Sequence, residues 1–307
     1  GALDDAGLGL GEDQARAEYR GAADAGECLV VPDAAEVGLA LEAGRDEAGR
    51  EAGPARRSGA TEATKTNMTG TPMEYAKTYD NGYQETLDFA RQQYDDPATP
   101  AAVKEGWAGF IRHGKSMVSA YAGMHAWPAD ETFTTTFSIP DDIAPVELRY
   151  LGRANTDGDA IVWLPKQRVL VSGDIVVHPM PYASATYPKD WIAALQALKA
   201  IDYKYLIPGH GAVLTDTAYL DTLIGALSDV RTQIGALAAQ GLTFEEARAK
   251  WDFTKLKTTF CGDDPWKRFL LNAFYLGALT QNAWKEAKGI PIVQGKDVVL
   301  LESVYDA

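Results

Sequence analysis

The sequence predicts a layered α/β fold with added helices, and three observations predict it. Short apolar segments separated by tight polar breaks, "VELRYLG", "AIVWLP" and "RVLVSG", have the length and β-branched content of strands. An amphipathic segment opened by Pro188, "PKDWIAALQALKAI", reads as a helix, and the short apolar run "YKYLIPG" behind it reads as another strand. Long helical segments then fill the rest of the chain. Strands followed by helix, strand and helix favour layers packed about one sheet, and 307 residues suffice for a sizeable core in one large or two modest domains.

In chain order, residues 1–60 come first and differ in composition from everything after them. They are rich in Gly and Ala, carry thirteen acidic residues and six arginines, and lack Ile, Phe, Trp, Met, Lys, Asn, Thr and His. No sustained period of 3.6 or 2 gives them a face to bury. Only "ECLVVPDAAEVGLALEAG" could form a short strand and helix. Three readings stand for this segment: a low-complexity acidic leader, a stretch translated from the wrong frame of a GC-rich gene, and a divergent domain half. The opening "GALDDAGLGL" has neither the basic region nor the apolar core of a secretory signal.

Residues 61–130 read as a helical insertion. Tyr75, Tyr79, Tyr83 and Leu87 are spaced four apart, a helical stripe for helix–helix packing. "DDPATP" breaks that helix and "AAVKEGWAGFIRHGKSMVSAYAGM" starts another. His113 and His125 have no second donor at metal spacing, so they read as packing or surface residues. Residues 131–215 form the β/α part, beginning with the alternating "TFTTTFSIP" as a strand. Residues 216–307 supply C-terminal helices and a tail. Within them Thr243 and Glu246 predict a capping box. Pro265 to Gly289 predicts one long helix, and "KDVVLLESV" an edge strand. There is no internal repeat.

A net charge of −14 argues against nucleic acid or an anionic membrane surface as the main partner. No apolar run approaches the roughly 18 residues of a membrane span. Two cysteines, Cys28 and Cys261, form neither a disulfide framework nor a cysteine-rich zinc module.

Chemistry concentrates at two strand ends. In "VLVSGD", Gly173 lets the backbone turn so that Asp174 points off the carboxyl end of an apolar strand. In "YLIPGHG", His210 stands in the same position on the next strand. Two ligand-type side chains on one rim of a sheet, joined by a helical crossover, mark the place where α/β sites form. Asn155 lies in the polar loop "RANTDGD". Asp157 and Gly158 read as a turn, and Asp159 as a cap that orients the loop. His178, four residues beyond Asp174, either lines a substrate cleft with Tyr182 and Tyr187 as walls or is a plain loop residue. Ser172 and Ser184 have no His–Asp partners for a triad.

From Val146 to Gly241 this layout resembles the C-terminal half of the metallo-β-lactamase superfamily: a loop like "RANTDGD", two strands, "GD", a helix, then "PGH". The resemblance implies an αβ/βα sandwich with one or two zinc ions on its edge. It implies a small-molecule substrate and a zinc-activated water attacking an ester, amide or lactone. By the same resemblance Asp174 bridges the metals, His210 binds the second, and Asn155 occupies the place of the first metal's third histidine. An amide oxygen is a weaker zinc donor than imidazole. The family's H-x-H-x-D-H run has no counterpart here, and its place falls within or near residues 1–60, so the sandwich is expected to be incomplete on its N-terminal side. The expected function is a hydrolase lineage with an impaired site. The alternatives are a non-catalytic binding or structural frame, and an incomplete gene product with an uncovered core.

Overall fold

The strands fall into two sheets in the computed structural model, which describes residues 58–69, 84, 87–121, 129–183 and 185–293. Strands β1 (Gly59–Thr61) and β2 (Glu131–Phe133) pair in parallel. The larger sheet contains β3 (Thr136–Ile139), β4 (Val146–Tyr150), β5 (Ala160–Leu164), β6 (Val169–Val177) and β7 (Tyr205–His210), neighbours in that order. The first four are antiparallel and joined by short connections. The β6–β7 pair is parallel, which requires a crossover, and helix α3 (Pro188–Lys199) provides it, with Pro188 in its first turn. The mixed α/β arrangement is the one the strand–helix–strand pattern predicts.

Alternation along the strands separates two faces. Ile161 and Trp163 of β5, Leu170 of β6 and Leu206 of β7 enter the main core, with Trp191 and Leu195 of α3 and Leu223 and Leu227 of helix α4 (Ala218–Ala239). On the opposite face one row crosses all five strands: Phe137 pairs with Leu148, Leu148 with Val162, Val162 with Val171, and Val171 with Ile207. Phe133 of β2 lies over the β3 end of that row, its ring centroid 6.1 Å from that of Phe137.

The remaining helices are α1 (Glu62–Thr69), α2 (Ala101–Tyr121), α5 (Phe244–Lys250), α6 (Thr254–Phe260), α7 (Pro265–Leu271) and α8 (Gly277–Lys288). Residues 87–95 are also helical and bury Leu87. Thr243 and Glu246 form the predicted capping box, each side chain bonded to the other's backbone N–H. Gly289 closes α8 at φ +67°, a conformation glycine adopts without the steric penalty of a Cβ. No helix among the described residues is long and apolar enough to cross a membrane.

Three sequence expectations change. The alternating run at 132–140 is not one strand: a bend at 134–135 divides it between the two sheets. The single helix expected from Pro265 to Gly289 is interrupted by a π-helical turn, Asn272–Leu276. The wider turn leaves the Phe274 carbonyl to accept from Ala183 N–H at 2.8 Å. The compositional boundary at residue 60 falls inside β1. His113 is exposed on α2. Residues 1–57, Cys28, Tyr75, Tyr79, Tyr83, His125, Ser184 and the "KDVVLLESV" tail lie outside the described residues.

Candidate metal half-site at Asp174 and His210

Strand β6 does not stop at Asp174. It continues to Val177, and its pairing with β7 slips on both sides of Gly173, from Val171↔Ile207 to Gly173↔Pro208 to Val177↔His210. Gly173 adopts φ +52°, so the irregularity is a bulge around a residue that tolerates left-handed backbone, and such bulges re-aim the following side chain. Asp174 is re-aimed across β7 and is 7% exposed. Its carboxylate lies against Gly209, where an added Cβ would stand 1.9 Å from Oδ1. His210 Nε2 is 3.6 Å from the same oxygen. The "PGHG" motif is thus a steric requirement: the first glycine admits the carboxylate and the imidazole follows it.

Burial pushes the Asp174 carboxyl above its ordinary range, and the His210 imidazole beside it pulls in the opposite direction. Behind the pair, His178 N–H donates to the His210 carbonyl at 3.1 Å. Gly211 also has no room for a side chain, since a Cβ there would lie 1.9 Å from the His178 carbonyl oxygen.

The Asn155 loop is built from both sides. Asp159 is buried and accepts from Thr156 N–H at 2.6 Å and from the Thr156 hydroxyl at 2.8 Å. Burial raises its carboxyl to about 7, the Thr156 bonds oppose that, and the Asp174 charge adds to it. Asp159 is therefore the loop cap the sequence suggested. Asp157 accepts from Asn67 of α1 at 2.9 Å. Thr61 and Thr64 both donate to the Gly158 carbonyl, at 3.1 and 3.0 Å. From the other side, Asn155 is fully buried and its carbonyl accepts from Thr186 N–H at 2.7 Å. Thr186 adopts φ +29°, and the Asn282 amide of α8 donates to the carbonyls of Thr186, at 3.0 Å, and Ala185.

The loop after β6 places His178 edge-on to Tyr219, with centroids 4.7 Å apart. Its Nδ1 is buried without a hydrogen-bond partner among the described residues, and burial lowers its pKa. Tyr182 packs against Phe274, centroids 6.4 Å apart. Tyr187 is buried under the Arg153 guanidinium, 4.4 Å from its ring. It borders a separate cleft of about 640 Å³ shared with Arg153, Arg231 and Glu286. Ser172 is buried, its hydroxyl donating to the Gly173 carbonyl at 3.0 Å.

Thr61, Thr64, Asn67 and Asn282 belong to no motif in the sequence. Thr64 and Asn67 stand three apart on one side of α1, Thr61 is the last residue of β1 just before it, and Asn282 is a polar residue on the buried stripe of α8. Those spacings were the available signals.

The spacing of the pair suits one shared ion. Zinc bonds of roughly 2.1 Å at tetrahedral angles separate two donors by about 3.4 Å, close to the 3.6 Å found. The number of donors does not suit it. Among the described residues no group of three His, Cys, Asp or Glu converges. A catalytic zinc takes three protein donors and keeps an open position; these residues do not complete one.

No protein-family model matches the chain. Solved structures do match part of it. It is 27% identical to DIM-1 metallo-β-lactamase exposed to ceftazidime, over 33% of this chain and 48% of that one, with a TM-score of 0.29. It is 22% identical to a metallo-β-lactamase from Pontibacter korlensis, over 40% and 62%, with a TM-score of 0.31. It is 17% identical to the stereoselective inverting sec-alkylsulfatase Pisa1 from Pseudomonas sp., over 57% and 28%, with a TM-score of 0.40. The chain spans about half the length of the lactamases it matches and less of the sulfatase.

Proposed function

We propose that this chain is a hydrolase frame of metallo-β-lactamase type in which Asp174 and His210 form a metal half-site, and that it does not by itself hydrolyse small-molecule esters, amides or lactones. The observation that carries the proposal is the pair itself: two ligand-type side chains 3.6 Å apart on neighbouring strands, with no third donor group converging among the described residues. Asn155 would be a weak third donor through its amide oxygen. His178 and Tyr182, on the loop that leaves β6, would line the approach of a small-molecule substrate. Zinc is the metal the motif resemblance implies. Two donors are too few to fix it with an open position, so no step is assigned to it.

A non-catalytic binding frame is the second reading. The bonding of Asp159 favours it, because both oxygens of that buried carboxyl accept from Thr156 of its own loop.

The test is hydrolysis of a nitrophenyl ester, a β-lactam and an aryl lactone by the full chain with zinc in excess. The expected rate equals the zinc-only blank. Turnover above the blank that disappears in both Asp174→Ala and His210→Ala would refute impairment. Turnover that survives both substitutions would move the activity away from this site.

A further inference from the structure

The cleft of about 640 Å³ beside Tyr187 is lined by α4, the C-terminal half of α8 and the first turn of α3. Asp174, His210 and Asn155 do not line it, so it is separate from the half-site, and its chemistry does not depend on that site. One wall is apolar: Ala283 and Ala287 of α8, with Ile290 and Ile292 just beyond the helix. On the α4 side stands Gly235, where an added Cβ would meet only the Ala287 methyl, at 4.0 Å.

The polar wall holds a guanidinium in place. Glu286 accepts from the Lys189 N–H at 3.0 Å through one oxygen and from Arg231 Nε at 2.9 Å through the other. A carboxylate is favoured at the start of α3 by the helix dipole, and it anchors the Arg231 group at one edge. The two terminal nitrogens of Arg231 make no hydrogen bond among the described residues. They leave a fork that matches the two oxygens of a carboxylate. Arg153 pairs with Asp190 at 2.6 Å and rests over Tyr187. Both carboxylates of the cleft are therefore engaged by arginines. The Lys189 ammonium, exposed and without an ion pair among the described residues, supplies a surplus positive charge. A net positive cleft is unusual surface for a chain of net charge −14.

We infer that this cleft binds a small carboxylate with an apolar tail, the oxyanion on the Arg231 fork and the tail along the α8 wall. Sites for small ligands combine an apolar wall with a few fixed polar groups. Here the fork selects the oxyanion, and the side chains of Ala283, Ala287 and Ile290 select the tail.

The experiment is calorimetric titration of octanoate, below its micellar concentration, into the chelator-treated full chain, with circular dichroism to establish the folding of each variant. Octanoate is expected to bind with a stoichiometry of one. Acetate and octanol each lack one half of the ligand and should bind about tenfold more weakly or worse. Gly235→Leu fills the cleft from a position where a side chain has room, and leucine is a better helix former than glycine. It should fold and lose about tenfold or more in affinity, as should Arg231→Gln. Lys250→Gln, at an exposed cation of α5 outside the cleft, should bind as the wild type does. If one cleft variant fails to fold, the other decides. No binding by the wild type, acetate or octanol binding as well as octanoate, or a folded cleft variant that binds like the wild type would each overturn the inference.

Discussion

Asp174 and His210 meet across parallel strands, Oδ1 to Nε2 at 3.6 Å, because the residue between them in space, Gly209, has no side chain. An alanine there would put Cβ 1.9 Å from Asp174 Oδ1 and within 2.9 Å of the Gly173–Asp174 backbone. Gly209→Ala is expected to destabilise the fold by about 1–3 kcal/mol, the usual cost of overpacking, and to move the His210 ring resonances. Urea unfolding and an NMR spectrum of the imidazoles check both. Unchanged stability would mean that the bulge at Gly173 relaxes freely.

On its β1–α1 side the Asn155 loop offers one carbonyl, Gly158 O, to two buried hydroxyls, Thr61 and Thr64, which lie 2.9 Å from each other. Either hydroxyl alone satisfies the oxygen. Thr61→Val and Thr64→Val should therefore each cost about 1 kcal/mol, and the double variant more than their sum, as the buried carbonyl loses its last partner. A double-mutant cycle in denaturant measures the excess. Strict additivity would show that the oxygen finds another donor.

Asn282 reaches from α8 to the segment that binds the other side of the same loop. Asn282→Ala removes the donor to the Thr186 and Ala185 carbonyls and should cost about 1–3 kcal/mol. The amide of Thr186, which bonds Asn155 O at 2.7 Å, should exchange faster with solvent. Hydrogen exchange resolved at that amide reports the local effect, and a change confined to global unfolding would contradict it.

Burial pushes the Cys261 thiol up to about 11. The nucleophile is the thiolate, so alkylation at Cys261 near pH 8 should be at least tenfold slower in the native protein than in urea. The native rate should rise roughly tenfold per pH unit until the thiol titrates. Peptide-resolved mass spectrometry follows this residue apart from Cys28. A native rate equal to the unfolded one would show that the thiol is accessible.

The strands β4 to β7 and the crossover helix were legible because they follow from local signals: short apolar runs between polar breaks, Pro188 at a helix start, and a glycine before Asp174 and before His210. The capping box at Thr243 was legible for the same reason. The division of residues 132–140 between two sheets was not, because Thr134 and Thr135 have good strand propensity and tertiary pairing alone bends the chain there. Nor was the bulge in β6. Gly173 signalled a turn, but whether the chain ended or resumed as Ile175–Val177 depended on the pairing of Val177 with His210 and on the Trp191 indole, which donates to Ile175 O at 3.0 Å. Asp174 and His210 could be named from motif, but their contact depends on Gly209, whose role appears only once the strands are side by side. The anchors Thr61 and Asn282 are 94 residues before and 127 residues after Asn155 in the sequence, a separation that no local pattern bridges.

The most direct test of the half-site is zinc binding by the chelator-treated full chain, followed by calorimetry alongside His210→Ala and Asp174→Ala. Two donors predict affinity weaker than roughly micromolar, lowered further by either substitution. One tightly bound equivalent, at micromolar affinity or better and lost in His210→Ala, would mean that further donors complete the site, and would contradict the account of this chain as a frame that holds only part of a metal centre.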